Sequence, residues 1–160
     1  MRCECGGEMK EKRGSVVMNE GGVNITLEDV RIFTCPKCGE ETHSIPRMES
    51  LFREVATMLA KKKERLMPQE IRFLRKHLGL SGRDFARKRG VDHTTVSKWE
   101  REDEPQAMGP QAERVLRLMS LAEKPIDEYP LEEMATEEPS PSRLRMKPGP
   151  RGWASTTVLA

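Results

Sequence analysis

Four cysteines fall in two pairs near the start of the chain, Cys3-Glu4-Cys5 and Cys35-Pro36-Lys37-Cys38-Gly39. Zinc takes four soft ligands in a tetrahedron at about 2.3 Å, and two thiolate pairs on neighbouring turns supply them. Gly6, Gly7 and Gly39 let turn amides approach the sulfurs. The second pair has the spacing of a metal knuckle. In the first, a single intervening residue sends the two side chains to opposite sides of an extended segment, so the backbone must bend there. The expectation is one structural zinc per chain on Cys3, Cys5, Cys35 and Cys38, with no open position for chemistry. Two alternatives stand beside it: free or redox thiols, and His43 in place of one sulfur.

A second group of residues has the types that read nucleic acid. Residues 81–101 run Ser-Gly-Arg-Asp-Phe-Ala-Arg-Lys-Arg-Gly-Val-Asp-His-Thr-Thr-Val-Ser-Lys-Trp-Glu-Arg. Two helices crossing near a right angle need a small residue at the contact, which Ala86 offers, and a left-handed residue in the turn, which Gly90 offers. Phe85, Val91, Val96 and Trp99 fill the shared core. That leaves His93, Thr94, Ser97 and Lys98 on the outer face of a helix over about Asp92–Arg101, the one that enters the major groove of duplex DNA. Lys98 can donate to guanine O6 and N7, and Thr94 can bond a base or touch a thymine methyl. Ser81, Arg83 and Arg101 are placed for phosphates, which fix register without reading sequence. Arg75, on the preceding helix, and Glu100, just past Trp99, are expected to form a structural ion pair.

The elements that position these groups follow from periodicity. Val16-Val17-Met18, the turn Asn19-Glu20-Gly21-Gly22, and the alternating pairs Ile25/Leu27 and Val30/Ile32 describe an antiparallel hairpin with a cysteine pair near each end. Pro46 opens a helix with Leu51, Val55, Met58 and Leu59 as its apolar stripe, followed by a hinge at Lys61-Lys62-Lys63. Pro68 opens the next helix, which closes at Gly79; Ser81 and Asp92 cap two more, and Gly109-Pro110 starts a last one. That last helix carries Val115, Leu116, Leu118, Met119 and Leu121, more apolar surface than a small domain needs to bury, and is expected to hold a dimer contact. The fold class expected is α+β in two domains: a small zinc-stapled antiparallel β module at 1–44, a connecting helix and hinge at 45–66, an all-α helix-turn-helix domain at 67–122, and a disordered tail at 123–160.

Composition supports that division. The net charge of +2 conceals a block from Lys61 to Arg101 with 13 Lys/Arg against 5 Asp/Glu, and a stretch from Glu123 to Glu138 with 7 acids and one base. The first suits a polyanion, the bland reading being a solvated face. Aromatic residues make up only 4% of the chain, and a module of roughly 45 residues rarely folds on so little apolar burial without a staple. No apolar run of about 18 residues spans a membrane, and the first residues lack a signal-peptide core. A cytoplasmic protein with reduced thiols is expected.

The strings Thr34-Cys35-Pro36-Lys37-Cys38-Gly39-Glu40-Glu41, Ile45-Pro46-Arg47, Ile71-Arg72-Phe73-Leu74-Arg75-Lys76, Val96-Ser97-Lys98-Trp99-Glu100-Arg101 and Gly109-Pro110-Gln111-Ala112-Glu113-Arg114 resemble the MqsA/YgiT-type antitoxin family, which joins cysteine pairs to an Xre/Cro-type helix-turn-helix. The resemblance covers residues 1 to about 122. It implies a homodimer that binds an inverted-repeat operator of double-stranded DNA, represses its own operon, and neutralises a ribonuclease toxin encoded beside it. It also implies zinc ligation by the four cysteines, base reading by Thr94 and Lys98, and a structural Arg75–Glu100 pair. Three departures mark the chain: the one-residue gap in the first pair, Gly82 where Xre/Cro domains often carry a DNA-contacting glutamine, and Arg89 at a usually apolar site. The competing reading is a stand-alone zinc-containing regulator with no toxin. No Ser/His/Asp or Cys/His set, phosphate loop or open metal site suggests an enzyme.

Overall fold

The computed structural model describes residues 1–122, 143–149 and 152–159. Strands β1 (Lys10–Glu20), β2 (Val23–Thr34) and β3 (Glu41–Ser44) form one antiparallel sheet in the order β1-β2-β3. Helices α1 (Met48–Lys61), α2 (Pro68–His77), α3 (Gly82–Arg89), α4 (His93–Trp99) and α5 (Pro110–Leu121) follow. None of the described helices is long and apolar enough to cross a membrane. The α+β order, a small sheet and then an all-α region, is the one expected.

Glu20 pairs with Val23, leaving Gly21-Gly22 as a two-residue loop with φ of 60° and 94°. Both central residues of such a hairpin need positive φ, which glycine adopts without a Cβ penalty. The Gly22 amide donates to Asn19 Oδ1 at 3.1 Å, and Asn19 bonds Asn24 across the strands at 2.7 Å. The apolar alternation slips by one between Leu27 and Val30, and the sheet absorbs the slip: Gly14 pairs with Val30 but Val16 with Leu27. The bulged Asp29 has φ 55°, and Arg13 Nη1 holds its carboxylate at 2.7 Å. The bulge brings Leu27 and Ile32 to the same face, where both are buried.

The helical core gathers Ile71, Leu74, Phe85, Val96, Trp99 and Leu116 around buried Ala86, where α3 meets α4. Helix α1 departs from the connector expected over 45–66. It packs on α5 and α2, so it belongs to the helical body. Its inward line is also different: Ala56 and Ala60 are buried, whereas Met58 is 65% exposed. Alanines let two helix backbones approach closely, and a methionine at that contact would hold them apart. The helix starts at Met48 because Arg47 takes a left-handed φ of 51°, which leaves Pro46 ahead of the first turn.

The segment expected to be a disordered tail carries two strands, β4 (Arg143–Gly149) and β5 (Gly152–Leu159), paired antiparallel. Gly149 pairs with Gly152, and the β-branched run Thr156-Thr157-Val158 suits a strand. The acidic stretch read in Glu123–Glu138 lies outside the described residues.

Candidate metal centre and nucleic-acid interface

The two cysteine loops are the same device at two lengths. In the second, Cys35 donates its amide to the Glu40 carbonyl at 2.8 Å and accepts from Gly39 at 2.8 Å, with Gly39 at φ 77°. In the first, Cys3 donates to the Gly7 carbonyl at 2.9 Å and accepts from Gly6 at 2.9 Å, with Gly6 at φ 79°. Each bond closes one residue sooner in the first loop, so the missing residue shortens the turn without moving the sulfurs apart. The required bend is made at Gly6. A Cβ on Gly7 would stand 2.8 Å from Cys35 Sγ and 3.4 Å from Cys5 Sγ, so only glycine lets this strand pass so close to the cluster.

All four Sγ atoms lie within 4.8 Å of one another, and no other group of metal-ligating side chains was found among the described residues. Corners of a zinc–sulfur tetrahedron stand roughly 3.8 Å apart when each bond is about 2.3 Å. The pairs Cys3–Cys38 and Cys5–Cys35 are at 3.5 Å, close to that spacing and far beyond the ~2.05 Å of a disulfide, and all four cysteines are free. The set can hold a metal ion; the donors fit a soft one. Hydrogen bonding divides the thiols. The Cys38 and Lys37 amides bring Cys35 down to about 7, while the Glu40 carboxylate, accepting from Cys3 at 2.8 Å, pushes that thiol up to about 11. His43 sits elsewhere, 3.4 Å from Glu41, and is no part of the cluster.

The second site is built by caps and one turn. Ser81 Oγ accepts the Asp84 amide at 3.1 Å and donates to the Asp84 carboxylate at 2.5 Å, starting α3. Gly90, at φ 62°, ends it, and the Val91 amide closes on the Ala86 carbonyl. Asp92 Oδ1 accepts the Thr94 amide at 2.8 Å and starts α4. That contact, with a second bond to Thr94, holds the Asp92 carboxyl below its usual range. Val96 and Trp99 are buried, so His93, Thr94, Ser97 and Lys98 share the exposed face of α4. Ser97 Oγ is turned back onto the His93 carbonyl at 3.2 Å. Arg83 is exposed at the start of α3, and Arg101, beyond α4, faces Asp103 at 3.8 Å.

Behind this face, Arg75 meets Glu100 in a two-point pair, Nε to Oε1 at 2.5 Å and Nη2 to Oε2 at 2.8 Å, with the third nitrogen on the Leu80 carbonyl. Both residues are buried, and the pair ties α2 to the end of α4. Arg89 is half-buried, and among the described residues its Nε has no hydrogen-bond partner; burial lowers its pKa.

Sequence reasoning missed a second buried network. The Glu113 carboxylate, on α5, accepts from Arg65, from the Leu66 amide at 3.1 Å, and from Arg117 at 2.7 Å. Arg117 also donates to the carbonyls of Ala60, Lys62 and Glu64, closing the C-terminal end of α1. Glu113 and Arg117 stand four residues apart on one helix, which is the only trace they leave in the sequence.

Residues 71–128 match the helix-turn-helix family model, a span that takes in α2 from Ile71 onward, α3 to α5 and the interface residues from Ser81 to Arg101. No curated protein matches the chain. The chain therefore carries a DNA-binding domain of the transcription-regulator type, joined to a four-cysteine cluster able to bind a metal ion.

Proposed function

We propose that this chain is a zinc-stapled repressor that acts as the antitoxin of a toxin–antitoxin operon, binding its own operator through α4 and a ribonuclease toxin through the β module. The observation that carries the DNA half is the exposed row His93, Thr94, Ser97 and Lys98 across the Gly90 turn from α3, within the matched region. In this reading Lys98 and Thr94 meet base edges, and Arg83 and Arg101 meet phosphates. The exposed pair of Arg101 with Asp103 is weak enough to be exchanged for a phosphate. Ser81 acts chiefly by capping α3, because its hydroxyl is already engaged by Asp84.

The four-cysteine set would hold Zn²⁺, whose part is structural: it fixes the two loops to each other. The toxin half rests on the order of parts shared with MqsA/YgiT-type antitoxins. Two copies would reach adjacent half-sites of an inverted repeat, meeting through α5, where Leu118 is 65% exposed beside half-buried Val115, Met119 and Leu121.

The test is co-expression with the neighbouring open reading frame, followed by operator binding. A stable complex and a footprint over an inverted repeat are expected. Lys98→Ala should lower operator affinity about tenfold while sparing random DNA, and Arg83→Ala should weaken both alike. Operator binding without any protein complex would leave the stand-alone zinc regulator, and no binding to duplex DNA would overturn the reading.

A further inference from the structure

The far end of the β1–β2 hairpin does not stand free. Val23 packs into the edge of the helical core, and Gly22 lies so close to α2 that a Cβ there would meet Gln69 Cβ at 2.8 Å. The same added atom would stand 3.3 Å from Glu102 Oε1. Glu102 is in turn held by Arg72 Nη1 at 3.2 Å, and Arg72 Nη2 donates to the Glu100 carbonyl at 2.5 Å. Glu100 is the C-cap of α4. One contact point thus joins the turn of the metal-bearing sheet, the first two turns of α2, and the anchor at the end of the DNA-facing helix. The turn itself is stiff, pinned by Asn19 to Gly22 and to Asn24.

We propose that the Glu20–Val23 turn is a clasp through which the metal-bearing sheet steadies the C-terminal anchor of α4. Gly22 is needed for the closure itself: it supplies both the left-handed φ and the absence of a side chain where the turn meets Gln69. With the clasp closed, Arg72 is shielded on one side and keeps both its acceptors, Glu102 and the Glu100 carbonyl. With it open, the part-exposed Arg72–Glu102 pair loses the turn beside Glu102 and is freer to separate, and α4 loses part of its end support. Linkage makes the effect reciprocal: whatever binds or displaces the sheet changes DNA affinity by the factor with which DNA changes its binding. The shallow cavity beside the clasp, lined by Glu20, Gly21, Phe52, Phe73, Lys76 and His77, has no buried polar group aimed into it among the described residues, so no ligand is assigned there.

The coupling rests on the proposed DNA-binding role, whereas the clasp does not, and the experiment separates them. Hydrogen exchange of the full metal-loaded chain is followed without DNA, for wild type, Gly22→Val and the control Gly21→Asn. Gly21 has φ 60° and nothing within 4 Å of an added Cβ, and asparagine tolerates that conformation. Gly22→Val should speed exchange at the end of α4 and around Glu100–Glu102 severalfold, with metal content and helical-domain melting unchanged; Gly21→Asn should match wild type. Glu102→Gln, which leaves the turn intact, should reproduce part of the change at α4. Operator titration then reads the coupling, with affinity expected to fall about five- to tenfold for Gly22→Val and not for Gly21→Asn. Unchanged exchange at α4 in both Gly22→Val and Glu102→Gln overturns the clasp. Altered exchange with equal operator affinity overturns the coupling alone. A wild type that binds no duplex DNA refutes the DNA-binding role while the exchange result still decides the clasp.

Discussion

The β module and the helical body are held together by different physics. Around the cysteines, the buried apolar cluster is Cys3, Met9 and Cys35, with Cys5 and Phe33 beside it, so three of its five members are the sulfurs themselves. The helical body has eleven buried residues in one cluster and two buried ion-pair networks. A module that buries so little apolar area depends on a cross-link, whereas the body depends on packing and on keeping its buried charges paired. Each region should therefore fail under a perturbation that the other survives.

The largest effect expected is metal removal. Chelation should unfold residues 1–44 while α2 to α5 stay folded, because metal-binding free energy is folding free energy in such a module. Elemental analysis should give one zinc per chain, and Cys35→Ser should abolish it. A chelated protein whose sheet amides stay protected against exchange would show that the sheet stands without its staple, and the contrast between the two regions would collapse.

Next comes Arg75→Met, which leaves buried Glu100 with only the long 4.0 Å contact to Arg72 and should cost the helical body about 3 kcal/mol. The double variant Arg75→Met/Glu100→Leu should recover most of that loss, since removing both partners leaves no orphaned charge. Urea unfolding with the metal bound reads both. If the single and double variants lose the same amount, the pair acts through packing and the charge argument fails.

Glu113→Gln tests the second network and should cost less, about 2 kcal/mol, because Arg65 is more than half exposed and regains water. Burial alone would raise the Glu113 carboxyl, but Arg117, Arg65 and the Leu66 amide outweigh it and hold it below its usual value. A depressed carboxylate contributes stability above its unfolded pKa of about 4.3, lost as pH falls through the folded value. The variant's deficit should therefore be full at pH 7 and shrink below about pH 4. A deficit independent of pH would assign Glu113 a steric role.

What the sequence makes legible follows the same division. Cysteine spacing announced the cluster, because ligand type and turn glycines are local signals. The pairs Ile25/Leu27 and Val30/Ile32 announced strands, but the bulge that lies between them went unread, although they are out of step with each other. Periodicity failed where packing inverted it: Met58 sits outside and Ala56 and Ala60 inside, and a buried Glu113 resembles any solvated glutamate until Arg65, 48 residues away, is placed beside it. The strands in 143–159 were hidden by the prolines and acids around them. At α3 and α4 the sequence spoke more directly, since caps and turn residues act within a few positions of themselves.

Those caps supply the smallest effect and the finest test of the comparison. Ser81 and Asp92 do the same work, accepting an amide in the first turn of α3 and of α4, yet one is neutral and the other charged. Ser81→Ala should cost about 1 kcal/mol; the part that comes from accepting the Asp84 amide persists in acid, while the part from the Asp84 carboxylate, which Ser81 holds below its usual range, fades as that carboxylate protonates. Asp92→Ala should destabilise at pH 7 as well, but its carboxyl is held low by Thr94, so its contribution exists above the unfolded value of about 3.9 and fades as pH falls through the folded one. From pH 7 to pH 3 the Asp92→Ala deficit should shrink by a larger share than that of Ser81→Ala, whose amide-accepting part remains. Thermal melts of both variants against wild type at pH 7 and pH 3 decide it. Parallel deficits at the two pH values would mean that Asp92 serves α4 as a turn former and not as an ionised acceptor.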